Sequence, residues 1–176
     1  MTVIASNELI GIDLKIKQIQ DILDEYFTSI WNGAVSVYGR IYETKKGNKS
    51  YMEAWTSGHF YKEIFINSKE NATIGFFVKS KSIEDFTLKA TVQMIVTGNL
   101  DKLLTSATRK DERIYLQVYN GLHNCLAIIP KSIKNPKEGV SDVFSGFETR
   151  DIKYKDMQPW FCLSFEFDIY YSEFLS

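Results

Sequence analysis

The chain reads as an α+β domain, with a mainly antiparallel β-sheet flanked by an N-terminal helix and a second central helix. Three observations predict it. Residues 8–31 repeat apolar side chains at three- and four-residue steps. Runs at 86–96 and 161–169 alternate with a period of two. A second helical stripe falls between them, at 111–124. The first pattern marks an amphipathic helix, and the alternation marks strands.

The elements follow in order. In the first helix Leu9, Ile12, Ile16, Ile19, Leu23, Phe27 and Ile30 form the apolar stripe. Asn7 can cap its start, or Asp13 if Gly11 delays entry. Asn32-Gly33 ends it. Val35, Val37 and Ile41 then alternate with Ser36, Tyr38, Arg40 and Tyr42, the pattern of a strand. The polar run 45–50 is expected to turn the chain, and 51–56 to return as a hairpin with a loop longer than the tightest type. Residues 59–66 read as a short strand or arm, and 67–71 as a turn.

Residues 72–79 are the next predicted strand, broken at 80–85. Phe86, Leu88, Ala90, Val92, Met94 and Val96 mark a long strand ended by Gly98-Asn99. In the second helix Ile114, Val118 and Leu122 make one stripe, and Tyr115, Tyr119 and His123 another. Asp111 and Glu112 suit its first turn, where the helix dipole favours negative charge. Leu126 opens a short apolar segment, 126–129. Residues 130–142, with Pro130, Pro136 and Gly139, read as an exposed loop. Residues 144–155 are expected to hold one more strand. In the closing strand Phe161, Leu163, Phe165, Phe167 and Ile169 share one face, and Cys162, Ser164, Glu166, Asp168 and Tyr170 the other. That alternation predicts a half-buried strand, with Pro159 at its entrance.

Composition bounds the function. The 176 residues suit one domain, 1–176, with a real core. A formal net charge of −1 supplies no global field toward nucleic acid or anionic membrane. The start of the chain lacks the charged and apolar regions of a secretory signal, and no stretch is apolar enough to span a membrane. The chain therefore reads as intracellular. Cys125 and Cys162 lack metal-ligand or redox spacing and read as buried apolar side chains, with no disulfide expected. No cofactor is expected. The twelve Phe, ten Tyr and three Trp suit a β-rich core or an interface.

Candidate chemistry is sparse. Asp142 followed by Asp151-Ile-Lys153 has the donor types of a metal-dependent nuclease, since carboxylates can hold Mg²⁺ and orient a water. Alternating charges on a solvated strand explain it equally. There is no G-x-S-x-G elbow and no phosphate-cradling G-x-x-x-x-G-K. His59 and His123 read as structural. The cluster Arg109, Lys110, Asp111, Arg113 is either a solvated helix entrance or an ion-pair strip between subunits.

Several segments together resemble a known family. They are the N-terminal helix leading into Ala34-Val-Ser-Val-Tyr-Gly-Arg-Ile-Tyr42, the unit Ala90-Thr-Val-Gln-Met-Ile-Val96 with Asn99-Leu-Asp-Lys-Leu103 and Arg109-Lys-Asp-Glu-Arg113, and the Gln158-Pro-Trp-Phe161 entry to the last strand. The pattern resembles the tail terminator and neck connector proteins of tailed bacteriophages. The segments at 51–66 and 130–142 are longer than a minimal terminator needs. The resemblance implies a non-enzymatic virion protein made in the host cytoplasm. It implies a homo-oligomeric ring, six-fold or a multiple, between portal, adaptor or tail-tube proteins. It implies that DNA is only passing cargo and that no membrane is involved. Residues 44–50 and 130–142 become arms gripping neighbours, through Lys45, Lys46, Lys49, Lys131 and Lys134, and the Arg109–Arg113 strip becomes a subunit boundary. The alternatives from other classes are the nuclease and a monomeric intracellular binding module.

Overall fold

The computed structural model of the chain describes residues 2–6, 8–58, 60–65, 69–106, 108–125, 127–152 and 158–172. Asn7, His59, Ile66, Leu126 and Lys153, on which sequence expectations fall, lie outside the described residues.

The fold is α+β, as the periodicities predict. Among the described residues the strands are β1 (Thr2–Ile4), β2 (Val35–Lys46), β3 (Lys49–Ser57), β4 (Phe60–Lys62), β5 (Ala72–Glu84), β6 (Thr87–Asn99), β7 (Lys134–Glu138) and β8 (Trp160–Tyr171). The helices are α1 (Ile12–Ile30), α2 (Leu100–Leu103), α3 (Lys110–His123) and α4 (Val140–Val143). The sheet order is β4-β3-β2-β5-β6-β8-β7, with β1 added beside the first half of β2. All neighbours are antiparallel except β1/β2 and β2/β5. Among the described residues no helix is long and apolar enough to cross a membrane.

Helices α1 and α3 cover one face. Ile12, Ile16, Ile19, Leu23 and Phe27 of α1 meet Val35, Val37, Ile74, Phe76, Val92 and Met94 of the sheet. Gly11, with φ of 56°, does delay entry, and it stands at the N-cap itself while Asp13 falls in the first turn. The helix stops at Trp31, whose ring stacks on Phe27 at 3.9 Å and whose indole N–H donates to Gln117 of α3 at 2.8 Å.

The opposite face carries a second, smaller cluster. Ile41, Met52, Ala54, Ile95 and Cys162 pack there beneath Val140, Val143 and Phe144. Cys125 lies in the helix-side cluster, so the two cysteines are buried on opposite faces of the sheet.

A bulge in β2 explains why Ile41 is on this second face. Val37 pairs with Ile74 but Arg40 pairs with Phe76, so β2 takes one extra residue across Tyr38-Gly39. An extra residue inverts the alternation beyond it. Arg40 thereby turns to the helix side, and Ile41 away from Val35 and Val37. Gln20, buried within α1, serves this kink: its amide donates to Val37 O at 2.8 Å and Ile4 O at 3.1 Å.

Four sequence expectations need correction. The strand at 72–79 does not break at Ser80; β5 runs to Glu84, because its backbone keeps pairing with β6 after the side chains leave the core. The turn near 45–50 is of the tightest kind, since Lys46 pairs with Lys49 and only Gly47 and Asn48 lie between. No strand forms in the described part of 144–155, which makes turns over the second cluster. The closing strand is buried on both faces, not one: Ser164, Glu166 and Asp168 are as enclosed as Phe165 and Phe167. Its second face is covered by α4, where Gln93 bridges Val143 O and the Ser164 hydroxyl, and by Lys79, Asn135 and Lys134, which reach Glu166 and Asp168.

Candidate assembly surface

The far end of the β5–β6 hairpin leaves the body of the protein. Residues 79–87 are all exposed. The register holds to the last pair, Glu84 with Thr87, so the connection is the two residues Asp85 and Phe86. Their φ values are 47° and 63°. Two consecutive positive φ values are what a type I′ turn requires, and Asp-Gly is a favoured pair there. Asp85 fits the rule. Phe86 stands where Gly is preferred, and a left-handed L-residue costs about 1–2 kcal/mol. Its ring is also fully exposed, at 104%.

A groove of about 810 Å³ opens at the root of this hairpin. Its lining includes Ile10, Arg40, Lys81, Ile83, Leu88 and Tyr171. Lys81 pairs with Ala90 and Ile83 with Leu88, which continues the helix-side face of the sheet. Helix α1 begins only at Ile12, so it leaves this extension uncovered. Arg40 reaches the groove because of the bulge and lies 3.2 Å from Asp13. Burial pushes the Asp13 carboxyl above its usual range, against the opposing pull of Arg40 and Lys81.

The root of the hairpin is held by charges on the other face. Lys79 binds Glu166, which also accepts from the Asn135 amide at 2.8 Å. Asp168 accepts from the Thr91 hydroxyl at 2.7 Å and lies 3.4–3.5 Å from Lys134 and Lys89. Lys89 in turn is 2.8 Å from Glu84 near the tip. Burial raises both β8 carboxyls, but their partners outweigh it. Lys79 and Asn135 hold Glu166 below the usual range; Thr91 and Lys134 hold Asp168 below it. A charge taken out of water persists only when paired in this way.

The predicted arms are placed differently. Residues 44–50 are the paired end of the β2–β3 hairpin, so they are not a loop. Lys45 is exposed there. Lys46 lies 2.6 Å from Glu53 and 3.6 Å from Glu63, and Lys49 lies 3.0 Å from Glu148. Residues 130–142 are not a loop either. They form a 3₁₀ turn at Pro130–Ser132, then β7, then α4. Lys134 is drawn onto Asp168, while Lys131 stays exposed. Pro136 is tolerated because β7 is an edge strand with an irregular register.

The Arg109–Arg113 cluster sits at the exposed entrance to α3. Arg109, with φ of 50°, is the N-cap and lies 3.8 Å from Asp111. Lys110 reaches Asp101 of α2 at 2.6 Å. Arg113 is exposed. Three of these four charges therefore have partners within the chain.

Asp142 is exposed on α4, and Asp151 lies in a turn and not on a strand. Among the described residues no three His, Cys, Asp or Glu side chains come together as a metal site would need. His123 stacks on Tyr119 at the end of α3.

The hairpin tip had a weak signal in the sequence. Asp85 lies between two alternating runs, but without a following Gly the pair does not announce a turn. No protein-family model matches the chain, and no curated protein matches it.

Proposed function

We propose that the chain is a non-enzymatic structural subunit that forms a ring at the head–tail junction of a tailed bacteriophage, as a tail terminator or neck connector, with a central passage for DNA. The observation that carries this reading is the fully paired hairpin whose apex is a fully exposed Phe86 in an unfavourable backbone conformation. A protein that acts alone in water gains nothing from that residue there. A subunit that docks onto a neighbour does, because strain and exposure at one residue are offset on assembly. A ring also needs two different complementary surfaces on each subunit. The hairpin, the α3 entrance and the two outer strands β4 and β7 offer several.

The test is negative-stain electron microscopy of the purified chain and of particles made without it. Closed rings with a central hole, and heads and tails that fail to join, are the expected results. A monomer with Mg²⁺-dependent DNA cleavage would replace this reading with the nuclease, and a monomer without it would favour the binding module.

A further inference from the structure

Ile10 and Ile83, at 69% and 74% exposed, line one groove, and Phe86 crowns the hairpin that forms its wall. These are three of the most exposed large apolar side chains described. Phe86 breaks two local rules at once, since it holds a left-handed backbone and leaves an aromatic ring in water. The charges differ between tip and groove. The tip carries Glu84, paired with Lys89, and Asp85, for which no ion pair is seen among the described residues. The groove carries Arg40 and Lys81, both of which pull on the one carboxylate in its lining, Asp13, so two cations face one anion; Lys81 stands 6.0 Å from the Tyr171 ring centre and makes no ion pair within 4 Å among the described residues. An acidic, aromatic tip and a basic, apolar groove are complementary surfaces on one molecule.

We infer that the hairpin tip of one chain docks into the groove of a second copy, with Phe86 on Ile10, Ile83 and Tyr171 and with Asp85 facing Lys81. This deepens the ring reading and rests on it for closure by rotation. A second copy is favoured over a lipid surface because Glu84 and Asp85 flank Phe86, and an anionic leaflet would repel them.

The full chain is studied by sedimentation velocity over a concentration series. Wild type is expected to self-associate. Phe86→Asn keeps a residue that tolerates the left-handed turn, so it should fold normally by circular dichroism, yet associate about 30-fold more weakly, as loss of a central aromatic anchor does. Lys81→Glu and Asp85→Lys should each abolish association alone, since each places like charges across the contact. An equimolar mixture of the two should restore it, because every contact then joins opposite charges. Wild type that stays monomeric, or an oligomer indifferent to all three variants, would overturn the inference. So would co-sedimentation with phosphatidylserine vesicles that Phe86→Asn abolishes. An oligomer that obeys the charge exchange but is a closed dimer would uphold the contact and refute the ring.

Discussion

Replacing Gln20 with Leu should destabilise the protein through two backbone carbonyls. The side chains have similar size, so packing changes little and the amide is what is lost. Gln20 is 1% exposed and donates to Val37 O and Ile4 O. Val37 lies at the edge of the β2 bulge, where the ladder is interrupted. Its bond is buried, so an unsatisfied acceptor there costs about 1–3 kcal/mol. The bond to Ile4 is partly buried, and its loss adds about 0.5–1 kcal/mol. The expected total is about 1.5–4 kcal/mol. For a chain of this size each kcal/mol moves Tm by about 2–4 °C, so Tm should fall by roughly 3–16 °C. Differential scanning calorimetry and urea titration of both proteins measure it, with an unchanged m-value showing that two-state unfolding persists. A Tm equal to wild type, or higher, would refute the claim that the kink depends on this amide.

Other predictions follow the same geometry. Phe165→Asp places a carboxylate at a 2% exposed site beside the Tyr115 and Tyr119 rings, costs several kcal/mol, and should yield insoluble protein; a soluble, cooperatively unfolding variant would contradict the core assignment. A Cβ on Gly98 would meet Asn71 O, a backbone atom, at 2.6 Å, so Gly98→Ala should lower stability by about 1–3 kcal/mol in urea titration. Glu148, held by Lys49 and Arg150, has its pKa lowered to about 2, and Glu166 and Asp168 are lowered too. A carboxyl lowered in the fold stabilises above its ordinary pKa and loses that contribution as pH falls. The urea midpoint should therefore drop between about pH 4.5 and 2, and less steeply in Glu148→Gln; parallel curves would remove Glu148 from the account. Arg109→Glu with Arg113→Glu should leave a folded subunit by circular dichroism that fails to join particles in electron micrographs. Intact tailed particles would return the cluster to a solvated helix entrance.

Much of the architecture was readable where burial follows a period. The stripe of α1, the alternation of β6 and the apolar face of β8 all lie against one cluster, and their patterns name them. The missed parts form where pairing, not burial, sets the conformation. Ser80, Lys81 and Ser82 lack core-facing side chains, yet their backbones pair with Thr91, Ala90 and Lys89. β7 has almost no strand propensity in Lys-Asn-Pro-Lys-Glu, and charges on Glu166 and Asp168 hold it. Those carboxylates looked solvated because a sequence does not say which strand will cover them. The bulge at Tyr38-Gly39 was hidden for a similar reason: Ile41 continues the alternation on paper while the backbone inverts it.

The interior position of β8 bears on how the protein is made. Translation delivers β8 after both strands it lies between, about 60 residues after β6 ends. At roughly 5–20 residues per second, the nascent chain waits on the order of 3–12 s with one edge of β6 bare. Val92 and Met94 then lack their cross-strand neighbours Phe167 and Phe165, so apolar surface stays bare beside the ribosome. A nascent chain in that state is a substrate for holding chaperones, and stalling the ribosome before Trp160 should increase its capture by them.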